Sequence, residues 1–179
     1  MIRPVAFRMN EQTAVNNYYQ KVIDGLLPAT VNAKAQQEFD AFVKKLEAVG
    51  VRAEIWSATS YGELRRDGMD TSRWNRLHPT QPQRVAQVTD QLGNAPGPIV
   101  AVTDFMKAVP DQIAPYVSKR FVSLGTDGFG RSDTREALRR FFEVDAANIE
   151  IAVLSALAAD GVIDASVVAS VIGEHGIDT

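Results

Sequence analysis

The stretch RFVSLGTDGFGRSDTREALRRFFEVD, residues 120–145, joins an apolar segment to a loop with three glycines and then to an amphipathic segment. Residues 120–124 predict a strand, because they are apolar and end at Gly125. Asp133 and Glu136 have the spacing of a capping box, which predicts a helix that begins there with Leu138, Phe141 and Phe142 pointing inward. A strand, a tight loop and a helix in this order indicate an α/β fold.

Strand signals recur on the N-terminal side of this stretch. PIVAVTD, residues 98–104, is a continuous apolar run, which is typical of a strand covered on both faces in a parallel sheet. VRAEIWSA, residues 51–58, and residues 4–8 predict two more strands. Since helical segments separate them, we expect one α/β domain over residues 1–179, with three layers, a mostly parallel sheet of four or five strands and right-handed crossovers.

The helical segments are recognised by apolar residues at intervals of three and four and by their caps. Residues 68–97 carry little pattern and are interpreted as a long surface excursion. The predicted helices are one that Asn32 caps, with Phe39, Phe42, Val43, Leu46 and Val49 on one face; residues 60–68, with Ser60 and Glu63 as a capping box; residues 82–92; residues 106–117, interrupted by Pro110 and Pro115; residues 148–161; and residues 164–176, capped by Asp164.

The glycine loop has two interpretations. It precedes a helix N-terminus, where backbone N–H groups can hold an anion. However, GTDGFG has the spacing G-x-x-G-x-G, no Lys-Ser/Thr pair follows, and acidic residues already occupy the helix start. A tight corner that one fold requires is therefore favoured over a phosphate cradle.

Ligands of open α/β sheets usually bind at the carboxyl ends of the strands, and three predicted strands end at one edge. Polar groups there also serve as caps, so a small-molecule site remains an alternative. Asp104 and Asp127 form a candidate carboxylate pair, but with no His, Cys or Lys predicted nearby they receive no acid–base role, and no catalytic residue is assigned. The candidate ligand or interface residues are Thr59, Ser60, Thr103, Asp104, Gly125, Thr126, Asp127, Gly128, Phe129, Gly130, Arg131, Ser132 and Asp133.

Composition excludes several function classes. The 179 residues include no cysteine, which removes thiolate nucleophiles and sulfur-ligated metals, and the two histidines have no metal-spaced partner. A net charge of -3 with interspersed signs argues against nucleic-acid binding. No apolar window is long enough for a signal peptide or a membrane span, so a cytoplasmic location is expected. His78 is expected to be a surface or packing residue and His175 to be solvated, whereas Trp56 and Trp74 are expected in a core or a domain interface.

Several ordered runs carry a resemblance: AEIWSATSYGELRRDG, RWNRLHPT, VAVTDFMK, DQIAPYV, LGTDGFGRSD and TREALRRFFEVD. Residues 52–179 resemble the C-terminal domain of bacterial homodimeric pyruvate dehydrogenase, the thiamine-diphosphate-dependent first component, which is transketolase-like. The resemblance implies the last of three domains, with the cofactor and substrate chemistry held chiefly by the other two. It implies a structural role, no cofactor of its own, and partners among the other domains of such an enzyme or a second copy.

Residues 1–51 depart from that family, which would show a glycine- and serine-rich turn after its first strand. MIRPVAFRMNEQTAVNNYYQ and LPATVNAKAQQEFDAFVKKLEAVGV resemble instead the N-terminal unit of arginine-deiminase-like amidinohydrolases, the pentein superfamily. Penteins use a cysteine nucleophile, so their activity does not transfer. The change of resemblance near Val51 suggests a recombined or engineered chimera.

Three functions follow as hypotheses. The first is a non-catalytic structural or assembly domain of the pyruvate dehydrogenase type. The second is a small-molecule-binding protein that uses the carboxyl edge of the sheet. The third is an amidinohydrolase-related fragment, inactive without the cysteine.

Overall fold

The computed structural model describes residues 53–177 without a break, together with residues 29–30, 32–33, 36–37, 40 and 44. The chain divides into two compact units, Met1–Ser57 and Ala58–Thr179. The prediction of a single domain over residues 1–179 stays a prediction.

The described residues of the first unit between 29 and 44 are helical. Ala29 and Thr30 already belong to this helical segment, so Asn32 lies inside it and is not its N-cap, contrary to expectation. Alanine has the highest helix propensity, which favours the earlier start. The predicted strand at residues 4–8 and the five apolar positions from Phe39 to Val49 lie outside the described residues.

The second unit has helices before, between and after two strands, and its α/β class is confirmed. Its elements are α1 (Tyr61–Leu77), α2 (Gln87–Leu92), β1 (Ile99–Val102), α3 (Ala108–Asp111), a 3-10 turn (Ala114–Tyr116), β2 (Phe121–Leu124), α4 (Arg135–Phe141), α5 (Ala146–Ala159) and α6 (Ala165–Glu174).

The two strands of the described sheet are parallel and adjacent. Ile99 lies opposite Phe121, and the register continues to Val102 opposite Leu124. Both strands were predicted, and their parallel pairing is confirmed. The intervening segment, residues 106–117, is divided into α3 and a 3-10 turn, as predicted. Pro115, which has no backbone N–H to donate, lies in the 3-10 turn, whereas Pro110 lies inside α3 and does not interrupt it.

The core of this unit has two groups of buried side chains. Helix α5 packs on both strands and against α6, and this group includes Leu154, Ala156, Val168 and Val171. Helix α1 packs against α2 and α3, and Val88, Pro110 and Ile113 are buried in these elements and beside them. Val102 is exposed, so the expectation that residues 98–104 are covered on both faces is wrong at the end of β1.

The predicted strand at residues 51–58 is also wrong for the part that the structure describes. Residues 53–58 adopt no regular secondary structure. A strand exists only with a ladder partner, and no backbone hydrogen bond pairs these residues with another described segment. An alternating apolar pattern at Val51, Ala53 and Ile55 cannot supply that partner.

Helix α1 begins where predicted and ends nine residues later than predicted, at Leu77. The Ser60 Oγ accepts a hydrogen bond from the Glu63 N–H at 3.2 Å, which confirms the N-cap. Gly68 does not end the helix. Gly68 lies inside α1, against the Tyr116 ring, and a Cβ at residue 68 would lie 2.6 Å from that ring. Glycine is present because another side chain approaches closely, and not because the helix stops.

The start of α4 is one residue later than predicted. Thr134 is the N-cap, and its Oγ1 accepts from the Ala137 N–H at 3.3 Å. The Asp133 carboxylate accepts from the N–H of Thr134 itself, so it lies just outside the helix. Phe141, predicted to point inward, is exposed, whereas Leu138 and Phe142 are half-buried.

Asp145 and Asp164 cap α5 and α6 through hydrogen bonds from the N–H groups of Asn148 and Ser166; the Asp164 cap was predicted. Burial alone raises the pKa of Asp145, but hydrogen bonds from Asn148 and the nearby Arg140 outweigh it and hold this pKa below its ordinary value. The hydrogen bonds from Ser166 lower the pKa of the exposed Asp164.

Three helices end in the same backbone motif. The helices α5 and α6 are followed by Gly161 and Gly176 with φ of 73° and 55°, and α4 is followed by Glu143 with φ of 57°. At each end, the residue with positive φ and the next residue donate N–H bonds back into the last turn, as in a Schellman motif. Glu143 holds a position that favours glycine.

Candidate functional site

The loops after β1 and β2 lie side by side at the carboxyl edge of the sheet, and backbone bonds join them. The Thr103 N–H donates to the Leu124 carbonyl at 3.0 Å, and the Thr126 N–H donates to the Phe105 carbonyl at 2.9 Å. Backbone hydrogen bonds between the two segments therefore continue beyond Val102 and Leu124, as far as Phe105 and Thr126.

Three hydrogen bonds with side chains hold the same two loops, and a fourth joins β2 to α3. The Thr103 Oγ1 accepts from the Phe105 N–H at 3.1 Å, and the Thr126 Oγ1 donates to the Asp104 carbonyl at 2.8 Å. The Asp127 Oδ1 accepts from the Lys107 N–H at 2.9 Å, and the Ser123 Oγ donates to Asp111. The structure thus brings together Thr103, Asp104, Thr126 and Asp127, as predicted, and uses the two threonines and Asp127 to connect the loops.

Gly125 is required where the loops cross. A Cβ on this residue would lie 2.6 Å from the Phe105 carbonyl oxygen and 3.0 Å from the Lys107 backbone nitrogen. Both neighbours are backbone atoms that also make hydrogen bonds, so they cannot move aside cheaply. The interpretation of the glycine loop as a tight corner applies at this residue.

The rest of the loop reaches solvent. Gly128 has a φ of 101°, and Phe129 beside it is 97% exposed. The Arg131 guanidinium lies over the Phe141 ring, 4.5 Å from its centroid, and 3.8 Å from the Asp133 carboxylate. Gly130, Ser132 and Asp133 are exposed.

Thr59 and Ser60 occupy a different place. Ser60 is the N-cap of α1, and no hydrogen bond among the described residues joins Thr59 or Ser60 to residues 103–107 or 125–127. The third strand that would have carried them to the edge is not formed over residues 53–58. The candidate site therefore contains the loops after β1 and β2 without these two residues.

A shallow cleft of about 230 Å³ lies between these loops and the end of α4. It is lined by Lys107, Gly125, Asp127, Phe141, Phe142 and Glu143. Sequence reasoning placed Gly125 and Asp127 at this edge and missed the other four. Lys107 belongs to no sequence motif. Phe141, Phe142 and Glu143 line the cleft because the end of α4 lies beside the loops, which no local sequence pattern indicates.

A second cleft of about 380 Å³ is lined in part by Gly68, Asn75, Arg84 and Tyr116. Its polar groups are largely paired with each other: Asn75 exchanges two hydrogen bonds with the Arg84 backbone, and Thr89 Oγ1 donates to the Tyr116 carbonyl. The residue 68–97 segment thus includes the last turns of α1 and a well-anchored loop, not only a surface excursion.

The two histidines have different environments. His78 stacks on Trp74 with 4.4 Å between ring centroids, and Arg84 lies 4.0 Å from the centroid of the same indole ring, so the predicted packing role of His78 holds. His175 was expected to be solvated, which is wrong. Its Nε2 lies 2.9 Å from the Glu150 carboxylate, which is itself largely buried, because α6 packs on α5.

The described residues offer neither a metal centre nor a membrane span. No group of three or more His, Asp or Glu side chains in the part of the chain that the structure describes is placed to hold a metal ion. No helix among those residues has the length and apolar character that crossing a bilayer requires.

Comparison with known families gives a match over residues 36–145, to the transketolase-like C-terminal domain. The chain belongs to this family. The matched range includes the two parallel strands and both loops of the carboxyl edge. It also begins fifteen residues upstream of Val51, inside the segment that was expected to be pentein-like.

Relatives of this transketolase-like domain include pyruvate dehydrogenase E1 components. The chain is 50% identical over 128 residues to the one from Mycolicibacterium smegmatis, 51% over 130 residues to that of Pseudomonas aeruginosa and 48% over 130 residues to that of Escherichia coli K12. Each alignment covers 72% of this chain and 14 to 15% of the relative. The chain therefore spans about a seventh of the length of these relatives.

Proposed function

We propose that this chain is a non-catalytic assembly domain of the pyruvate dehydrogenase E1 type. The observation that carries the proposal is the way the carboxyl edge uses its polar groups. The Thr103 N–H, the Thr126 Oγ1 and the Asp127 carboxylate bond the two loops to each other, and the Thr103 Oγ1 bonds within its own loop, so these groups serve the fold and do not point as a set toward a substrate.

The lowered carboxyl pKa values support the same proposal. Asp145 and Asp164 have lowered pKa values because they accept N–H bonds at helix N-termini. A shift of this origin serves helix stability, whereas a catalytic acid or base needs a shifted pKa inside a cleft beside a substrate. Neither aspartate lines the cleft at the carboxyl edge.

The test is calorimetric titration of the full chain with thiamine diphosphate and Mg²⁺, with pyruvate added in a second series. We expect no saturable heat and no turnover of pyruvate, since the resemblance assigns cofactor chemistry to domains beyond this one. Saturable binding of thiamine diphosphate, or turnover of any substrate by the purified chain, would refute a non-catalytic role. Release of citrulline or ammonia from arginine analogues would contradict both this role and the inactive amidinohydrolase-related alternative, and we expect none.

A second candidate function is small-molecule binding at the carboxyl edge. The cleft between Lys107, Asp127 and Glu143 favours it, because charged groups of both signs converge beside the Phe141 and Phe142 rings. Its volume of about 230 Å³ is below the usual range for ligand pockets, roughly 300–1,000 Å³, so we place this function second. A ligand-induced rise in Tm that disappears in Asp127→Ala and persists in Asp90→Ala would support it.

The chimera hypothesis concerns the first 51 residues. The family match from residue 36 places part of this segment within the transketolase-like domain and gives the pentein resemblance no support there. A natural homologue that spans Val51 with both flanking segments intact would remove the need for a join.

A further inference from the structure

Helix α1 turns a basic face toward solvent. An α-helix advances by about 100° per residue, so Met69, Leu77 and the four arginines of this helix fall within about 120° around its axis. All six residues are exposed, Met69 by 46% and Leu77 by 53%. We call this set the arginine face: Arg65, Arg66, Met69, Arg73, Arg76 and Leu77.

The opposite side of α1 packs on the second unit, which fixes the rotation of the helix. Gly68 lies against the Tyr116 ring, and the Asp67 carboxylate accepts a hydrogen bond from the Gln87 N–H at 2.6 Å. These contacts hold the arginine face toward solvent before any partner binds. A surface that is already ordered loses little conformational entropy on binding.

Three of the four arginines have a charge that no neighbour balances. Arg66 pairs with Glu63 at 2.5 Å, whereas in the part of the chain that the structure describes no carboxylate lies within ion-pair distance of Arg65, Arg73 or Arg76. Two acidic residues of α1, Glu63 and Asp70, border the face on one side. The face is therefore net positive, although the chain has a net charge of -3.

The chemistry of the arginine face is suited to carboxylates. The planar guanidinium group donates two parallel hydrogen bonds to a carboxylate, and clusters of arginines recognise acidic motifs. Arg65 and Arg76 lie three helical turns apart, about 16 Å along the axis. Met69 lies between them, and its flexible side chain adapts to an apolar group of a partner. The face thus fits an acidic segment with carboxylates along about 16 Å and an apolar residue among them.

A second copy of the chain is a poor occupant of this face. A two-fold contact between identical surfaces brings the same patch of both copies together. With the helices antiparallel and Met69 at the centre, Arg65 of one copy would lie opposite Arg73 of the other. Like charges that face each other across an interface are costly, so a partner of opposite charge is favoured.

A membrane or a nucleic acid fits the arginine face less well than an acidic protein segment does. Helices that lie on a bilayer bury a broad apolar face, but Leu64 and Trp74 of α1 are half-buried within the second unit. Nucleic-acid-binding domains are basic as a whole, whereas this chain has a net negative charge.

We propose that the arginine face is a docking surface for an acidic segment of a separate protein. This inference goes beyond the proposed function, because the carboxyl edge of the sheet takes no part in it. One face of a single helix is smaller than the roughly 800 Å² that each partner buries in a standard interface. The association is therefore weak, reversible and sensitive to salt.

The experiment uses the full chain and two synthetic probe peptides. The acidic probe is an alanine-based helix with glutamates at intervals of three and four on one face and two leucines among them. In the neutral probe, glutamine replaces every glutamate. Binding of each labelled peptide is measured by fluorescence anisotropy in about 10 mM salt, where the Debye length is about 30 Å, and again in about 1 M salt, where it is about 3 Å.

Two double variants carry the comparison. Arg65→Gln with Arg73→Gln removes two charges from the arginine face, and glutamine has nearly the helix propensity of arginine. Arg135→Gln with Arg139→Gln is the matched control. It removes the same charge from α4, where both arginines are exposed and have no ion pair among the described residues.

We expect the acidic probe to bind the wild type and the control variant with a Kd of about 10–100 µM at low salt, in the range of weak transient contacts. Binding to the Arg65→Gln, Arg73→Gln variant should be about tenfold weaker, because charge-assisted bonds are lost. The neutral probe should bind the wild type at least about tenfold more weakly, a comparison that needs no variant, and about 1 M salt should abolish binding. In NMR spectra of the wild type, shift changes should be centred on residues 65–77.

Four outcomes would overturn the inference. They are no binding of the acidic probe at low salt, an equal loss in both double variants, tighter binding of duplex DNA or phosphatidylglycerol vesicles that depends on Arg65 and Arg73, and dimerisation that the Arg65→Gln, Arg73→Gln variant loses. None of them bears on the non-catalytic role, which the titration with thiamine diphosphate tests, so the two can fail separately.

Discussion

Glu143 is the only non-glycine residue with a positive φ among the described residues. An L-residue in this region is disfavoured by about 1–2 kcal/mol relative to the right-handed one, because its Cβ approaches the backbone. Glycine avoids that cost and loses more entropy on folding, by about 0.5–1 kcal/mol. We therefore expect Glu143→Gly to raise the free energy of unfolding by about 0.5–1 kcal/mol in urea titrations.

Gly161 supplies the matched control for that substitution. It holds the same position after α5, with φ of 73° and no atom within 4 Å of the place that a Cβ would take, so Gly161→Ala tests the backbone alone. We expect it to lower the free energy of unfolding by about 1 kcal/mol. If Glu143→Gly also destabilises the chain, the Glu143 side chain contributes more at the cleft than its backbone conformation costs.

Gly68 and Gly62 lie in the same helix and test the role of close packing. A Cβ at residue 68 would lie 2.6 Å from the Tyr116 ring, whereas one at residue 62 would meet only the Ser60 Oγ at 3.8 Å. We expect Gly68→Ala to lower the free energy of unfolding by about 1–3 kcal/mol through overpacking. Gly62→Ala should leave it unchanged or raise it by up to about 1 kcal/mol, as helix propensity dictates. Equal effects of both substitutions, measured by urea unfolding, would contradict the packing role.

At the scale of elements, the N-cap of α5 should make stability depend on pH. The pKa of Asp145 lies below its ordinary value of 3.8 in the folded chain. The stabilisation from its charge is therefore fully present above about pH 4 and is lost as the pH falls through the folded pKa. Asp145→Asn keeps an oxygen that can accept the Asn148 N–H bond and removes the charge.

We expect Asp145→Asn to unfold more easily than the wild type at pH 7, by a few tenths of a kcal/mol to about 1 kcal/mol, since the carboxylate is partly exposed and screened. The difference should shrink as the pH falls below about 4 and through the lowered pKa of Asp145. Urea titrations of both proteins between pH 3 and pH 7 give this profile, and a difference that stays constant with pH would show that the charge of Asp145 contributes nothing.

The elements that sequence reasoning predicted well are those that local chemistry determines. Residues 99–102 and 121–124 are apolar and end at turns, and Ser60 and Asp164 accept N–H bonds three and two residues ahead. Thr134 and Asp133 both have side chains that can cap a helix. Which of two such neighbours becomes the N-cap depends on backbone angles that the sequence does not show. Gly68, His175 and Phe141 were misjudged because distant residues decide their surroundings: Tyr116, Glu150 and Arg131 respectively.

The candidate site was predictable only in its backbone location. The rule that ligands and functional loops lie at the carboxyl ends of strands placed residues 103–104 and 125–127 together. The same rule placed Thr59 and Ser60 at this edge, because a strand was predicted over residues 51–58. Lys107, Phe141 and Glu143 arrive through the fold of α4, and the exposure of Phe105 and Met106 depends on which surfaces remain uncovered.

At the scale of the whole molecule, the single-domain prediction implies that residues 1–57 and 58–179 unfold together. The chain has two tryptophans, with Trp56 in the first compact unit and Trp74 in the second. Trp56→Phe therefore leaves a fluorophore that reports on the second unit, and Trp74→Phe leaves one that reports on the first. Each variant must be compared with its own far-UV circular dichroism, because Trp74 packs between His78 and Arg84 and its replacement changes the overall stability.

The single-domain prediction requires that fluorescence and circular dichroism give the same urea midpoint within each variant, because a small domain unfolds in one cooperative transition. The first unit has 57 residues, a length at which a domain is only marginally stable by itself. The described sheet of the second unit has two strands, fewer than in an ordinary sheet. Both observations favour joint unfolding. Trp56 fluorescence that changes at a lower urea concentration than the circular dichroism signal would show that residues 1–57 unfold separately. The two loops of the carboxyl edge would then belong to a domain that folds without residues 1–57.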